Sequence, residues 1–116
     1  MTNANEEANC LFCKIIQGAI PSQPVAVGPD FIAIRDINPQ APVHILVIPK
    51  QHVASIVQFE DGNKLGELFL AAKNVALEQG LKGFRLVVNT GEQAGQTVFH
   101  LHIHVIGGRI MLWPPG

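Results

Sequence analysis

The chain has 116 residues, enough for one domain that buries roughly two-thirds of its extended surface. With 47% hydrophobic and 15% charged residues it is too apolar to stay disordered. Eight Lys and Arg against nine Asp and Glu leave a formal charge of -1 with no basic stripe, which argues against nucleic acid or an anionic membrane surface as partner.

Met1–Asn9 is polar and acidic, without the basic start and apolar core of a signal peptide. It is expected to be flexible, leaving 10–116 as a single domain. No apolar run approaches ~18 residues, so no transmembrane helix is expected and the cytoplasm is the expected compartment. Cys10 and Cys13 form a C-x-x-C pair, which in such a chain points to metal or redox chemistry before a structural disulfide. Leu11–Gln17 reads as a short helix that stops near Gly18 and Pro21. Val25–Val27 and Phe31–Arg35 are short β-branched runs joined by Gly28-Pro29-Asp30, a hairpin signal. Asp36–Pro42 turns on Asn38-Pro39, and Val43–Ile48 is a nearly all-apolar, central strand ended by Pro49.

The long helix is predicted over Asn63–Gln79. Leu65, Leu68, Phe69, Ala72, Val75 and Ala76 recur at helical spacing, Asp61 can cap the start, and Gly80 can stop the end. Its apolar face is expected to pack on a sheet. Phe84–Asn89 is a further strand, Thr90–Gln96 a polar Gly-containing loop, and Phe99–Ile106 a strand of strict alternation before Gly107-Gly108. This order implies an α+β fold: a mostly antiparallel sheet of about five strands, one long helix and a short N-terminal helix.

Three of the five histidines, His100, His102 and His104, fall at every second position of that last strand. A strand repeats every two residues, so the three imidazoles should leave one face while Phe99, Leu101, Ile103 and Val105 anchor the other in the core. Two chemistries fit: a metal site, or phosphoryl-type transfer through a histidine nucleophile. At ~3.3 Å per residue, neighbours lie ~6.6 Å apart and the outer pair ~13 Å apart. One ion reaches all three poorly, whereas two adjacent rings can flank one phosphate. The loop Asn89–Val98 runs straight into this strand. Its glycines, Gly95 among them, allow close backbone approach to an anion, and Thr97 with the Gln96 and Asn89 amides can add donors to phosphate oxygens.

The run from Gly95 through Val98 to Ile106, with His-φ-His-φ-His-φ-φ at its heart (φ apolar), resembles the histidine-triad superfamily. Cys10–Ile16, Arg35–Gln40, Val47–Lys50, Gly107-Gly108-Arg109 and the closing Trp113-Pro114-Pro115-Gly116 resemble its Hint branch, the purine nucleoside phosphoramidases. The resemblance implies that His102 is the nucleophile, forming a nucleotidyl-histidine that water cleaves. His104 would hold a phosphoryl oxygen and aid the leaving amine, with Thr97 or a water competing for that second task. His44 would be the supporting histidine and Asp36 the ribose carboxylate, though an Asp turn also explains Asp36. Phe12, Ile20, Ile37 and Leu46 would form the base slot. Arg35 stands where the branch often has His, and Thr97 where it often has Ser. The resemblance also implies a homodimer, no catalytic cofactor, and a structural zinc on Cys10, Cys13, His52 and His100, as in some bacterial-type members. Dinucleoside polyphosphate hydrolases and nucleotidyl transferases share the fold, and a non-catalytic nucleotide- or zinc-binding regulator is the competing reading from another class.

Overall fold

A computed structural model describes residues 8–116; the expected flexible segment Met1–Asn9 lies outside them, apart from the exposed Ala8 and Asn9. Helix α1, Leu11–Ile16, is short because Cys10 caps it, its sulfur accepting the Cys13 N–H at 3.3 Å, and Gly18 leaves it at a φ of 81°. The strands are β1 Ala26–Val27, β2 Phe31–Arg35, β3 Val43–Pro49, β4 Phe84–Val87 and β5 Ile103–Gly107. They form one antiparallel sheet in the order β1-β2-β3-β5-β4, so β3 and β5 are flanked on both sides.

Helix α2, Gly62–Glu78, begins and ends one residue before its predicted limits. The Asp61 side chain accepts the Lys64 N–H at 3.1 Å, as its capping role required. Leu68, Ala72, Val75 and Ala76 are buried against Ala33, Ile45, Val47, Leu101, Ile103 and Val105. Burial of a Leu or Val of this kind contributes about 1.5–3 kcal/mol, so this face holds the helix on the sheet. The opposite face carries a second cluster, in which Cys10, Phe12 and Cys13 pack on Ile32, Leu46 and Ile48. One side of the sheet is thus apolar mortar under α2, and the other is left for α1 and the histidines. Among the described residues, no helix is long and apolar enough to cross a membrane.

The last strand departs from expectation. Phe99–Ile106 was predicted, but pairing starts only at Ile103, opposite Val47, and Phe99 is 46% exposed instead of anchored in the core. The cause lies in the neighbouring strand. Continuing the register would set Leu101 against Pro49, which has no N–H to donate. The Leu101 N–H turns instead to the Val53 carbonyl at 2.8 Å. Similarly, β4 stops at Val87, short of the predicted Asn89.

Candidate active site and metal centre

The hydrogen bonds fix which nitrogen of each ring carries its proton, because a carbonyl only accepts and a backbone N–H only donates. The His102 Nδ1 lies 2.8 Å from the His100 carbonyl, so Nδ1 holds the proton and Nε2 keeps its lone pair. His44 behaves the opposite way. Its Nδ1 accepts the Gln40 N–H at 3.0 Å, leaving the proton on Nε2, which donates to His104 Nδ1 at 2.9 Å. The His104 proton therefore sits on Nε2, and among the described residues that buried atom has no partner. The His102 and His104 rings are 4.9 Å apart between centroids. A bare lone pair and a bare N–H stand side by side.

Burial keeps these rings neutral. His104 is lowered to about 4, first by desolvation and then by the His102 and His44 rings. The pKa of His102 is also lowered, chiefly by burial, against the raising influence of its bond to His100 and of Asp36. Both rings are thus neutral at neutral pH, each keeping its single N–H.

The other expected contacts divide. Phe12 packs edge-on against His102 at 5.1 Å, and Leu46 faces His104 across the ladder. Ile20 is half-buried, while Ile37 is 99% exposed and touches no wall of a slot. Asp36 forms the turn, its Oδ1 accepting the Asn38 N–H at 2.8 Å, and its Oδ2 lies 3.4 Å from His44 Nε2. In the loop before the triad, Gly91 and Gly95 take φ of 83° and 90°, which needs glycine. Thr97 is exposed beside Val98 in a cleft of about 530 Å³ bordered also by Leu11, Ala54 and Phe99, and Asn89 is half-buried. Gln96 corrects its expected role. Its side chain is buried, accepts the Gly91 N–H at 2.9 Å and donates to the carbonyls of Ala54 at 2.7 Å and Val98 at 3.2 Å. Its amide staples the loop and has no donor left for phosphate.

His100 turns away from its two companions into the cysteine cluster. Its Nε2 donates to the Pro49 carbonyl at 2.8 Å, so its Nδ1 lone pair faces Cys10 Sγ at 3.2 Å and Cys13 Sγ at 3.5 Å. His52 Nδ1 lies 3.0 Å from Cys13 Sγ. The four donor atoms fall within 4.8 Å of one another, and both cysteines are free of disulfide. A zinc tetrahedron with bonds of about 2.0–2.3 Å has edges of roughly 3.3–3.8 Å, close to these spacings. The donor set, two sulfurs and two imidazoles with His100 held from behind by a carbonyl, fits that ion. Asp36, His44 and His104 are also close enough to share an ion. Their protons argue otherwise, since His44 Nδ1 accepts a backbone N–H and its Nε2 therefore carries hydrogen, not a free lone pair. That trio is a hydrogen-bonded chain.

Sequence reading missed three participants, all main-chain groups: the Gln40 N–H, the Pro49 carbonyl and the Val53 carbonyl. Only Pro49 left a trace, as a residue certain to interrupt a ladder.

The profile of the HIT domain matches residues 17–111. An uncharacterized HIT-like protein of Synechococcus elongatus is 50% identical over 109 residues, 91% of this chain and 96% of that protein. A HIT family hydrolase from Legionella pneumophila Philadelphia 1 superposes with a TM-score of 0.89 at 48% identity, covering 93% of this chain and 100% of that one. A zinc-bound histidine triad family protein from Mycobacterium smegmatis superposes with a TM-score of 0.80 at 30% identity, over 89% of this chain and 77% of that one. Fold and sequence agree over most of the length, and the chain belongs to the HIT domain family.

Proposed function

We propose that the protein is a hydrolase of the Hint branch that cleaves the P–N bond of purine nucleoside 5'-phosphoramidates through a nucleotidyl-histidine on His102. The observation that carries this reading is the pair of opposed tautomers, the lone pair on His102 Nε2 beside the N–H on His104 Nε2. A lone pair attacks phosphorus; an N–H holds the oxygen on which charge gathers. His102 attacks, the P–N bond breaks, and the nitrogen takes up a proton as it departs. Water then attacks the same phosphorus, releasing the nucleoside monophosphate and restoring His102.

Other residues fit around that step. Asp36 keeps acceptor sites for ribose hydroxyls even with one oxygen engaged by Asn38. Phe12, Ile20, Leu46 and the exposed Ile37 are proposed for the base, and the main chain around Gly95, Thr97 and Val98 for the phosphate. The Gly107-Gly108-Arg109 run and the Trp-Pro-Pro-Gly end support the phosphoramidase branch over the polyphosphate hydrolases. The hydrolase from Legionella supports hydrolysis. Zinc on Cys10, Cys13, His52 and His100 belongs to the same reading, supported by the donor geometry and by the zinc-bound relative. Zinc there anchors the N-terminal turn to the sheet and takes no part in the reaction. A homodimer is proposed too: β4 is an edge strand, and Ile110, Leu112 and Trp113 lie exposed beyond β5.

The test is release of AMP from an adenosine phosphoramidate by wild type and His102→Ala. Loss of turnover by more than about a thousandfold is expected, with an adenylyl adduct on His102 trapped and mapped by mass spectrometry in the wild type. Comparable turnover in both proteins overturns the assignment.

A further inference from the structure

His102 stands one residue ahead of β5, so the sheet ladder does not fix its backbone. Other contacts hold the segment from His100 to His102. The Leu101 N–H is bound by the Val53 carbonyl at 2.8 Å. The His100 ring is pinned between the Pro49 carbonyl, at 2.8 Å, and the two thiols, at 3.2 and 3.5 Å. Phe12 packs edge-on against both His100, at 5.8 Å, and His102, at 5.1 Å. These anchors have a common address. Val53 follows His52 directly, Pro49 begins the same loop, and Phe12 lies between the two cysteines. Val53 and Phe12 are thus joined directly to donors of the four-residue centre, and the Pro49 carbonyl holds the ring of a third, His100.

His100 is the junction. Its Nδ1 faces the sulfurs, while its carbonyl sets the tautomer of His102 at 2.8 Å. We infer that the Cys10–Cys13–His52–His100 centre, with a metal ion on its four donors, is the device that positions His102, and that His100 transmits the position through its main-chain carbonyl. His100 is a positioning residue, and turnover depends on metal occupancy although no step of the reaction passes through the metal. Without an ion, the C-x-x-C turn meets His52 and His100 through thiol contacts and the edge-on packing of Phe12, which hold it less rigidly than metal–ligand bonds. Four metal–ligand bonds fix those pieces to one point. A nucleophile displaced by about 1 Å loses on the order of a hundredfold in rate, so a small shift of one carbonyl is enough.

This inference rests on His102 being the nucleophile, and the experiment separates the two claims. The full chain is stripped of metal with a chelator under reducing conditions, then reloaded with zinc; Cys13→Ser is carried in parallel. Metal content, kcat and KM for an adenosine phosphoramidate, and amide hydrogen exchange by NMR are measured on each. The expected result on metal loss is a kcat lower by about 10–100-fold with KM nearly unchanged. The Leu101 amide should exchange faster while the Val105 amide, inside the ladder, stays protected. Zinc should reverse both changes in the wild type and neither in Cys13→Ser. Full kcat in metal-free protein, whether stripped or as purified, or an unchanged Leu101 amide overturns the inference. So does parallel loss of Leu101 and Val105 protection, which shows a global effect in place of a local one. If no form turns over, the phosphoramidase reading fails, and the Leu101 amide still decides the positioning claim.

Discussion

Gln96 offers the sharpest test of how the phosphate-side loop is built. Its side chain is 3% exposed and makes three hydrogen bonds to main-chain groups of Gly91, Ala54 and Val98. Gln96→Ala removes all three partners at once. A buried polar group left unpaired costs about 1–3 kcal/mol. Gly91, Ala54 and Val98 are half-buried, so water recovers part of that cost, and a net loss of about 2–4 kcal/mol is expected. For a chain of this size each kcal/mol moves the melting temperature by about 3–6 °C, which places the variant roughly 6–24 °C below wild type. Gln96→Glu keeps the acceptor for Gly91 but aims a carboxylate oxygen at two carbonyls, so it should be at least as unstable as Gln96→Ala. Thermal melts and urea unfolding read the stability, and KM for the phosphoramidate reads substrate contact. A Gln96→Ala protein with a native melting temperature and a large rise in KM would refute the staple and return the side chain to the phosphate.

His44→Ala frees His104 from the ring that fixes its proton; kcat should fall by about 10–100-fold with a smaller change in KM, and an equal change in both would contradict the tautomer argument. The acid response has a definite sign: His104 titrates near 4 in the fold against an ordinary 6.5, so between these values the unfolded chain binds more protons and stability falls as pH drops. Melts from pH ~7 to pH ~4 should show that decline, with a shallower slope in His104→Asn; equal slopes would remove His104 as a cause. Deleting Trp113–Gly116 should change substrate preference more than stability, because Trp113 is 82% exposed, with the Arg85 guanidinium 5.9 Å from its ring. Thermal melts alongside kinetics on small and bulky amine leaving groups check this, and a large melting shift with unchanged preference would count against it.

Periodicity made the long helix and the central strand legible, since Leu68, Ala72, Val75 and Ala76 repeat as a helix face and Val43–Ile48 is apolar except for His44. The four residues proposed to hold zinc were legible by residue type, and they meet although Cys10 and His100 are 90 positions apart. What the sequence hid was decided by partners remote in the chain. The alternation around Phe99 promised a strand there, and Pro49 on the neighbouring strand cancelled it. Alternation alone put the three histidines on one face, and only the resemblance set His100 apart with the cysteines; the structure likewise gives His100 to the thiols and leaves His102 and His104 side by side. Gln96 read as a phosphate donor because composition shows which groups a side chain carries but not which are already engaged.

The two-sided division of β5 also limits how the chain can change length. Ile103 and Val105 are buried under α2 while His104, between them, faces the other way. Adding or deleting one residue within Ile103–Gly107 would invert that order on one side of the change, driving an imidazole into hydrocarbon and a valine out among the rings. Point substitutions here are gradual in effect, but a one-residue indel is all or nothing, so the spacing of this stretch is more tightly constrained than its apolar residues.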